Sequence, residues 1–420
     1  MIISTFLALL FLGLPIALVL AMTALAYIYL SDNTVLYLSF PQQFFGGLEN
    51  YGLLAIPLFM IVGELMNEGG ITRRLVGFAS VFVGHVRGGL AYINVLANMF
   101  LASIVGSANA QIAVMGQVMV PTMEKQGYDR GFATATTCAG ALLAPIIPPS
   151  MLFVIFGVLA QISIGDLFIA GIIPGILLAF SFICTIALLG WKYNYPPGER
   201  LSRKQKISNT LAAIPSLFVP AVMIGGILGG ITTPTEAAAV GALAALLVGI
   251  FAHREIHLKR LSPMMMRVAL NSGVVLVLVA AANVFGWVIV FEKIPQALAV
   301  ALQQLTSDPL VFMLLVNVLL LGLGMVIDGI AALILLVPIL LPVATSVYGI
   351  DPYHFGVVMC INLTLGLLTP PVGAALYVAS RVTGSKPAEI IRPLMPFLLV
   401  VCAVLVLLSW QPFLVTVLLK

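Results

Sequence analysis

The chain has 420 residues, of which 61% are hydrophobic and 8% charged, with a formal net charge of +4. Water-soluble domains carry roughly 25% charged side chains, so no soluble core accounts for this composition and lipid is the solvent for most of it. The small basic excess suits juxtamembrane Lys and Arg and says nothing of nucleic acid; the four cysteines, Cys138, Cys184, Cys360 and Cys402, lie apart in apolar helical runs, with no CxxC or Cys/His cluster to hold a metal or a disulfide framework.

A spanning helix needs about 20 mostly apolar residues, and such stretches recur from end to end. Residues 1–30 contain no charged side chain. A cleaved leader has a basic start and a short apolar segment; this stretch has no Lys or Arg and is too long, so it is predicted to span despite the cleavage-like Ala24-Leu25-Ala26. A second span is predicted over 51–68. Residues 89–124 are flanked on both sides by basic residues, Arg73, Arg74 and Arg87 before and Lys125 and Arg130 after. The positive-inside rule places both flanks in the cytoplasm, which makes this stretch a re-entrant hairpin. Residues 131–161 then cross outward and 168–191 return. The longest polar interval, Lys192 to Asn209, is predicted as a cytoplasmic linker carrying Arg200, Arg203, Lys204 and Lys206. Spans over 211–230 and 234–251 lead out and back to the basic loop of Arg254, Lys259, Arg260 and Arg267. Residues 269–291 go out, 309–347 form a second hairpin entered from outside, 355–383 come in past Arg381, Lys386 and Arg392, and 393–418 go out. This threading leaves the N-terminus cytoplasmic, the C-terminus periplasmic, and only Lys293 and Lys420 of the 19 Lys and Arg away from the inner face.

A shift of 222 positions superposes several uncommon residues: Gly127 on Gly349, Asp129 on Asp351, Cys138 on Cys360, Pro148-Pro149 on Pro370-Pro371 and Pro174 on Pro396. One hairpin opens inward and the other outward, so the repeats are predicted to be inverted, a design of secondary transporters. The expected fold is an all-α polytopic membrane protein. Residues 1–191 form the first repeat, 192–232 a linker and connecting helix, and 233–420 the second repeat.

Irregular backbone survives at membrane depth only where it lines a protein or water cavity, so matched interruptions point to the binding site. The first pair of interruptions is the proline breaks, Ala144-Pro145-Ile146-Ile147-Pro148-Pro149-Ser150 and Thr369-Pro370-Pro371-Val372-Gly373. Freed carbonyls there can coordinate a cation, and each restarting half-helix presents its positive end to an anion. The second pair is the hairpin tips, Ser103-Ile104-Val105-Gly106-Ser107-Ala108-Asn109 and Gly324-Met325-Val326-Ile327-Asp328-Gly329. Ser, Asn and Asp are hard oxygen donors suited to Na⁺, and an ionisable group at membrane depth, such as Asp328, is functional by default. Two tips facing two breaks suggest two cation sites with a cargo between them, although Asp328 could instead carry a proton. Glu64, Glu236 and Glu292 read as partnered or interfacial carboxylates, and His85, His253, His257 and His354 fall in predicted loops. No catalytic triad, HExxH or Walker loop occurs, so neither an intramembrane enzyme nor an ATP-driven pump is indicated. A stand-alone ion-coupled symporter and a passive channel stay open on these residues.

Further runs carry a resemblance: Leu54-Ala55-Ile56-Pro57-Leu58-Phe59, Gly63-Glu64-Leu65-Met66-Asn67-Glu68-Gly69-Gly70-Ile71, Gly106-Ser107-Ala108-Asn109-Ala110, Gly229-Gly230-Ile231-Thr232-Thr233-Pro234-Thr235-Glu236-Ala237-Ala238-Ala239 and Leu368-Thr369-Pro370-Pro371-Val372-Gly373. Together they make the chain resemble, over its whole length, the large membrane subunit of tripartite ATP-independent periplasmic (TRAP) transporters. The resemblance implies Na⁺-driven uptake of an organic anion by an elevator movement in the bacterial inner membrane. It implies two partners, a small four-helix membrane subunit and a periplasmic substrate-binding protein, and no cofactor beyond Na⁺ as coupling ion. Met1 opens directly into the first span, so the small subunit is expected to be a separate chain. Carried onto this sequence, one Na⁺ site would use Ser103, Ser107, Asn109 and backbone near Gly140 and Pro145. The other would use Gly324, Asp328, Gly366 and Thr369, where Asp328 replaces a Ser/Asn pair. Gly106, Pro148, Pro149, Ser150, Pro370, Pro371 and Gly373 would surround the cargo. C4-dicarboxylates, sialic acid, sugar acids and keto acids all remain open as cargo.

Overall fold

The computed structural model of the chain describes residues 2–31, 34–193, 195–196, 198 and 200–419, so Met1, Lys420 and the side chain of Lys192 lie outside the described residues. It is an all-α polytopic membrane protein. Among the described residues seven helices are long and apolar enough to cross a bilayer, or eight if one pair bent by 116° counts as a single span.

In chain order the helices begin with α1 (Ile2–Phe11), α2 (Ile16–Leu30), α3 (Thr34–Gly46), α4 (Ala55–Glu68) and α5 (Ile71–Val83). Composition predicts a single span over 1–30, but Gly13 turns left-handed at φ 75° and Pro15 precedes α2, which divides it in two. Next come α6 (Gly89–Val105), α7 (Ala108–Lys125), α8 (Arg130–Ala141), α9 (Met151–Ala160) and α10 (Ile164–Tyr193). The second half holds α11 (Arg203–Leu228), α12 (Pro234–Leu247), α13 (Leu258–Phe291), α14 (Ile294–Leu305), α15 (Pro309–Gly324), α16 (Gly329–Ser346), α17 (Pro352–Gly366), α18 (Ala374–Thr383), α19 (Pro387–Trp410) and α20 (Phe413–Thr416). The polar interval read as linker is helical from Arg203, because Ser202 and Gln205 form a capping box that starts α11. His354, read as a loop residue, is buried in the first turn of α17, with its Nε2 2.8 Å from the Leu408 carbonyl oxygen. Asp351 accepts from Tyr353 N–H at 2.9 Å and His354 N–H at 3.0 Å, and Pro352 occupies the first helical position, so the helix begins before the histidine.

Two segments share one order of elements. A hairpin, α6–α7, is followed by α8, a non-helical break and α9; a second, α15–α16, is followed by α17, a break and α18. Asp129 caps α8, accepting from Phe132 N–H at 2.9 Å, as Asp351 caps α17. The packing is reciprocal: α9 lies on α16 and α18 on α7, while α8 meets α19 and α17 meets α10. The start of α8, which follows the first hairpin, sits with the end of α18, where Thr134 Oγ1 is 3.0 Å from Ser385 Oγ. The start of α17, which follows the second, sits with the start of α10, where Tyr353 OH donates to Asp166 Oδ2 at 3.4 Å. Between those two clusters the chain runs through α8, its break and α9. Around them α2 packs on α13, α4 on α12, and α5 on α6 and α11.

Candidate functional site

Each hairpin turns at a point fixed by local chemistry. In the first, Gly106 ends α6 at φ 61°, a conformation that disfavours any Cβ, and Ser107 is extended before α7. The Ser107 hydroxyl makes no cap hydrogen bond, and Asn109 Oδ1 is buried with no hydrogen-bond partner among the described residues. In the second, Asp328 caps α16, its Oδ2 accepting from Ile330 N–H at 3.1 Å.

Each tip also leans on the break of its own segment. A Cβ on Gly106 would lie 3.5 Å from Met151 N and 3.6 Å from Pro149 O. At the matching place Gly373 N–H donates to Met325 O at 3.2 Å. In the first break Ser150 Oγ donates to the Pro145 carbonyl at 2.5 Å and caps α9 through Phe153 N–H at 3.3 Å. The Pro148–Pro149 and Pro370–Pro371 peptides are both cis.

The two tips and the first break meet at one cavity of about 40 Å³, room for an ion or a water. Its lining includes Gly106, Ser107, Asn109, Pro145, Asp328 and Thr364. Ala108, Met151 and Gly329, the first residues of α7, α9 and α16, line it as well. Three helix N-termini therefore converge there, each bringing first-turn N–H groups and the positive end of its dipole. The cavity is thus an anion-attracting cradle that also carries hard oxygen donors. A larger cavity of about 310 Å³ shares Ser107, Met151 and Ile330 with it and runs to Glu64, Asn67 and Asn271 between α4 and α13. At its far end Arg267 reaches Glu64 at 3.2 Å and Glu68 at 3.0 Å.

Of the residues singled out in the sequence, Gly106, Ser107, Asn109, Pro145 and Asp328 share the small cavity. Others stand outside its lining. Ser103 Oγ donates to Phe100 O at 2.8 Å within α6. Gly140 accommodates Asn98, whose Nδ2 would lie 2.7 Å from a Cβ there. Gly324 and Gly366 form the crossing of α15 and α17, where a Cβ on Gly366 would lie 2.6 Å from Gly324 Cα. Thr369 Oγ1 donates to Leu365 O at 2.8 Å. Pro148 and Pro149 face an apolar cleft against Phe168, Ile172 and Ile224. Pro370 is half-buried, Pro371 exposed and Gly373 buried beside the second tip. Ser150 is buried as the α9 cap.

Sequence reasoning missed Thr364, which lines the cavity from α17, and a buried amide network beneath the first tip. In that network Gln111 Nε2 donates to Asn98 Oδ1 at 2.7 Å, Asn98 Nδ2 to Asn94 Oδ1 at 2.8 Å, and Asn94 Nδ2 to Thr137 Oγ1 at 2.7 Å. The four-residue spacing of Asn94 and Asn98 in an apolar hairpin was the available signal. Two other carboxylates singled out in the sequence have partners: Glu236 accepts from Thr233 N–H at 2.8 Å, and Glu292 accepts from Tyr27 OH. Among the described residues no group of three or more His, Cys, Asp or Glu could hold a metal ion.

Comparison with known proteins places these features in context. The family profile described as "Tripartite ATP-independent periplasmic transporter, DctM component" matches residues 3–414. The sialic acid TRAP transporter large permease protein SiaM of Vibrio cholerae is 40% identical over 97% of this chain and 95% of its own length. The 2,3-diketo-L-gulonate TRAP transporter large permease protein YiaN of Escherichia coli is 36% identical over 97% of this chain and 96% of its own. The crystal structure of the YdaH transporter of Alcanivorax borkumensis shares the fold, with a TM-score of 0.68 at 15% identity over 96% of this chain and 97% of that one.

Proposed function

The chain belongs to the DctM-component family of tripartite ATP-independent periplasmic transporters, and from that premise we propose that it is the Na⁺-coupled translocating subunit that imports a small organic anion. The observation that carries this reading is the convergence of the α7, α9 and α16 N-termini on a cavity that also holds Ser107, Asn109 and Asp328. The oxygen donors offer Na⁺ a partly dehydrated seat in that cavity, and the N-termini attract the anion from the larger cavity of about 310 Å³ that adjoins it at Ser107, Met151 and Ile330. One positive charge bound next to the anion offsets the cost of carrying it through a low-dielectric span, so the two travel together. Sialic acid and 2,3-diketo-L-gulonate, named for the two relatives, are both carboxylates, which supports an organic acid as cargo here.

In this reading α6–α9 and α15–α18 are the moving halves of inverted repeats within 1–191 and 233–420, joined by 192–232. The shared order of elements and the reciprocal packing of α9 on α16 and α18 on α7 support this arrangement. The remaining helices form the scaffold, and the cavity reaching Asn67 and Asn271 is the route by which cargo leaves. A small membrane subunit completes the scaffold, and a periplasmic binding protein delivers the anion. The basic ends lie in the cytoplasm of a bacterium, the membrane is the inner one, and no catalysis is involved. The chain reconstituted with its small subunit and a loaded binding protein should accumulate sialic acid or 2,3-diketo-L-gulonate only under an inward Na⁺ gradient. Uptake indifferent to Na⁺, or dependent on ATP, refutes the coupling.

A further inference from the structure

We propose that the seam between α5 and α11 is a binding site for an anionic phospholipid, with a basic recess for its phosphate and a groove for its acyl chains. The recess has a volume of about 250 Å³ and is lined by Ser80, Val81, His85, Arg200, Leu201 and Lys206. Among the described residues the lining includes no carboxylate, and neither Arg200 nor Lys206 forms a salt bridge. Its floor is fixed: Asn209 Nδ2 donates to Gly77 O at 3.2 Å and to Ser80 Oγ at 3.5 Å, tying α11 to α5. A second hollow of about 230 Å³, lined by Lys206, Ile207, Thr210 and Leu211, abuts the first through Lys206.

The two hollows differ in chemistry as the two parts of a phospholipid do. Cations and a hydroxyl surround the first, whereas Ile207 and Leu211 border the second and are 52% and 60% exposed. Exposed apolar side chains beside a membrane-spanning helix are solvated by acyl chains, so the second hollow already belongs to lipid. Continuity through Lys206 then places the phosphate of that same molecule in the recess. A soluble phosphate would use the recess but gain nothing from the groove. Each Lys or Arg near an anionic leaflet contributes roughly fivefold in binding. An anionic headgroup is therefore favoured over a zwitterionic one of the same chain length.

The test uses the purified chain in neutral detergent, with phosphatidylglycerol, phosphatidylcholine of the same acyl composition, and inorganic phosphate as probes. Retained lipid is read by native mass spectrometry and stabilisation by the unfolding temperature. Wild type is expected to retain phosphatidylglycerol in preference to phosphatidylcholine, and R200Q/K206Q to bind it about 25-fold more weakly. Both side chains are exposed, so the lipid-free unfolding temperature should not move; should the double variant fold poorly, K206Q alone is expected to weaken binding about fivefold. I207S/L211S should weaken phosphatidylglycerol retention and leave any response to inorganic phosphate unchanged. Equal retention of both lipids, or phosphatidylglycerol binding unchanged in R200Q/K206Q, overturns the proposal. Stabilisation by inorganic phosphate equal to that by phosphatidylglycerol assigns the recess to a soluble anion and overturns it too.

Discussion

Replacing Asp328 separates its two roles, because one side chain both caps α16 and places a carboxyl group at the tip cavity, where the proposed coupling needs it ionised. Asn caps a helix as well as Asp does, whereas Ala forfeits about 1 kcal/mol. Asp328→Asn should therefore keep the unfolding temperature of wild type, and Asp328→Ala should lower it modestly. The charge is a different matter. Two unit charges about 4 Å apart attract by about 4 kcal/mol at an effective dielectric of 20. That corresponds to roughly a thousandfold in affinity, less whatever desolvation takes back. We predict that both variants raise the Na⁺ concentration for half-maximal response at least tenfold, and by no more than about a thousandfold. The assay is Na⁺-dependent stabilisation of the purified protein, followed by Na⁺ titration of uptake in proteoliposomes. An Asp328→Asn protein with wild-type Na⁺ dependence would remove this carboxylate from the ion site and break the coupling argument built on it.

Other outcomes follow from packing and burial. Gly366→Ala places a Cβ 2.6 Å from Gly324 Cα, so α15 and α17 must separate; a loss of about 1–3 kcal/mol is expected, read from unfolding temperature. Asn98→Ala removes the side-chain acceptor of Gln111 Nε2 at 2.7 Å and the donor to Asn94 Oδ1 at 2.8 Å, while the Asn98 main-chain carbonyl keeps its bond to Gln111; the buried groups left short of partners cost about 1–3 kcal/mol, which denaturation of the variant should show. His253, just past the membrane-crossing part of the α12 segment, has its pKa lowered by burial and by the Arg74 charge. The unfolded chain then binds the proton more tightly, so stability is full above pH 6.5 and falls as pH drops through that value towards the lower folded pKa. His253→Gln should flatten the change in unfolding temperature between about pH 7.5 and pH 5.5; an unaltered slope would assign it to other groups.

The parts of the site that could be read in advance are those where the sequence breaks a rule of membrane helices. Paired prolines stop a helix in any context, and Gly-Ser or an isolated Asp inside an apolar stretch is too costly to be accidental, so Pro145, Gly106, Ser107 and Asp328 stood out. Thr364 did not, because a threonine whose hydroxyl donates to Cys360 O at 2.7 Å is ordinary in a membrane helix, and only tertiary placement brings it to the cavity. α3, α5 and α14 escaped for a related reason: each is too short to span, so the apolar-length criterion passes over them. α5 also opens with Arg73 and Arg74, which the charge rule assigns to a loop. His354 was misplaced although Asp351-Pro352 is a helix-start signal; hydropathy had outweighed it.

The reciprocal seating of α9 on α16 and of α18 on α7 bears on how this protein is made. The ribosome releases the chain from one end, at roughly 5–20 residues per second, and α7 must wait for a helix encoded some 260 residues later. For on the order of ten to fifty seconds the nascent first half therefore holds open a seat that only the second half fits. Two separately translated fragments divided near residue 200 should each be degraded when made alone, and should rescue one another when made together.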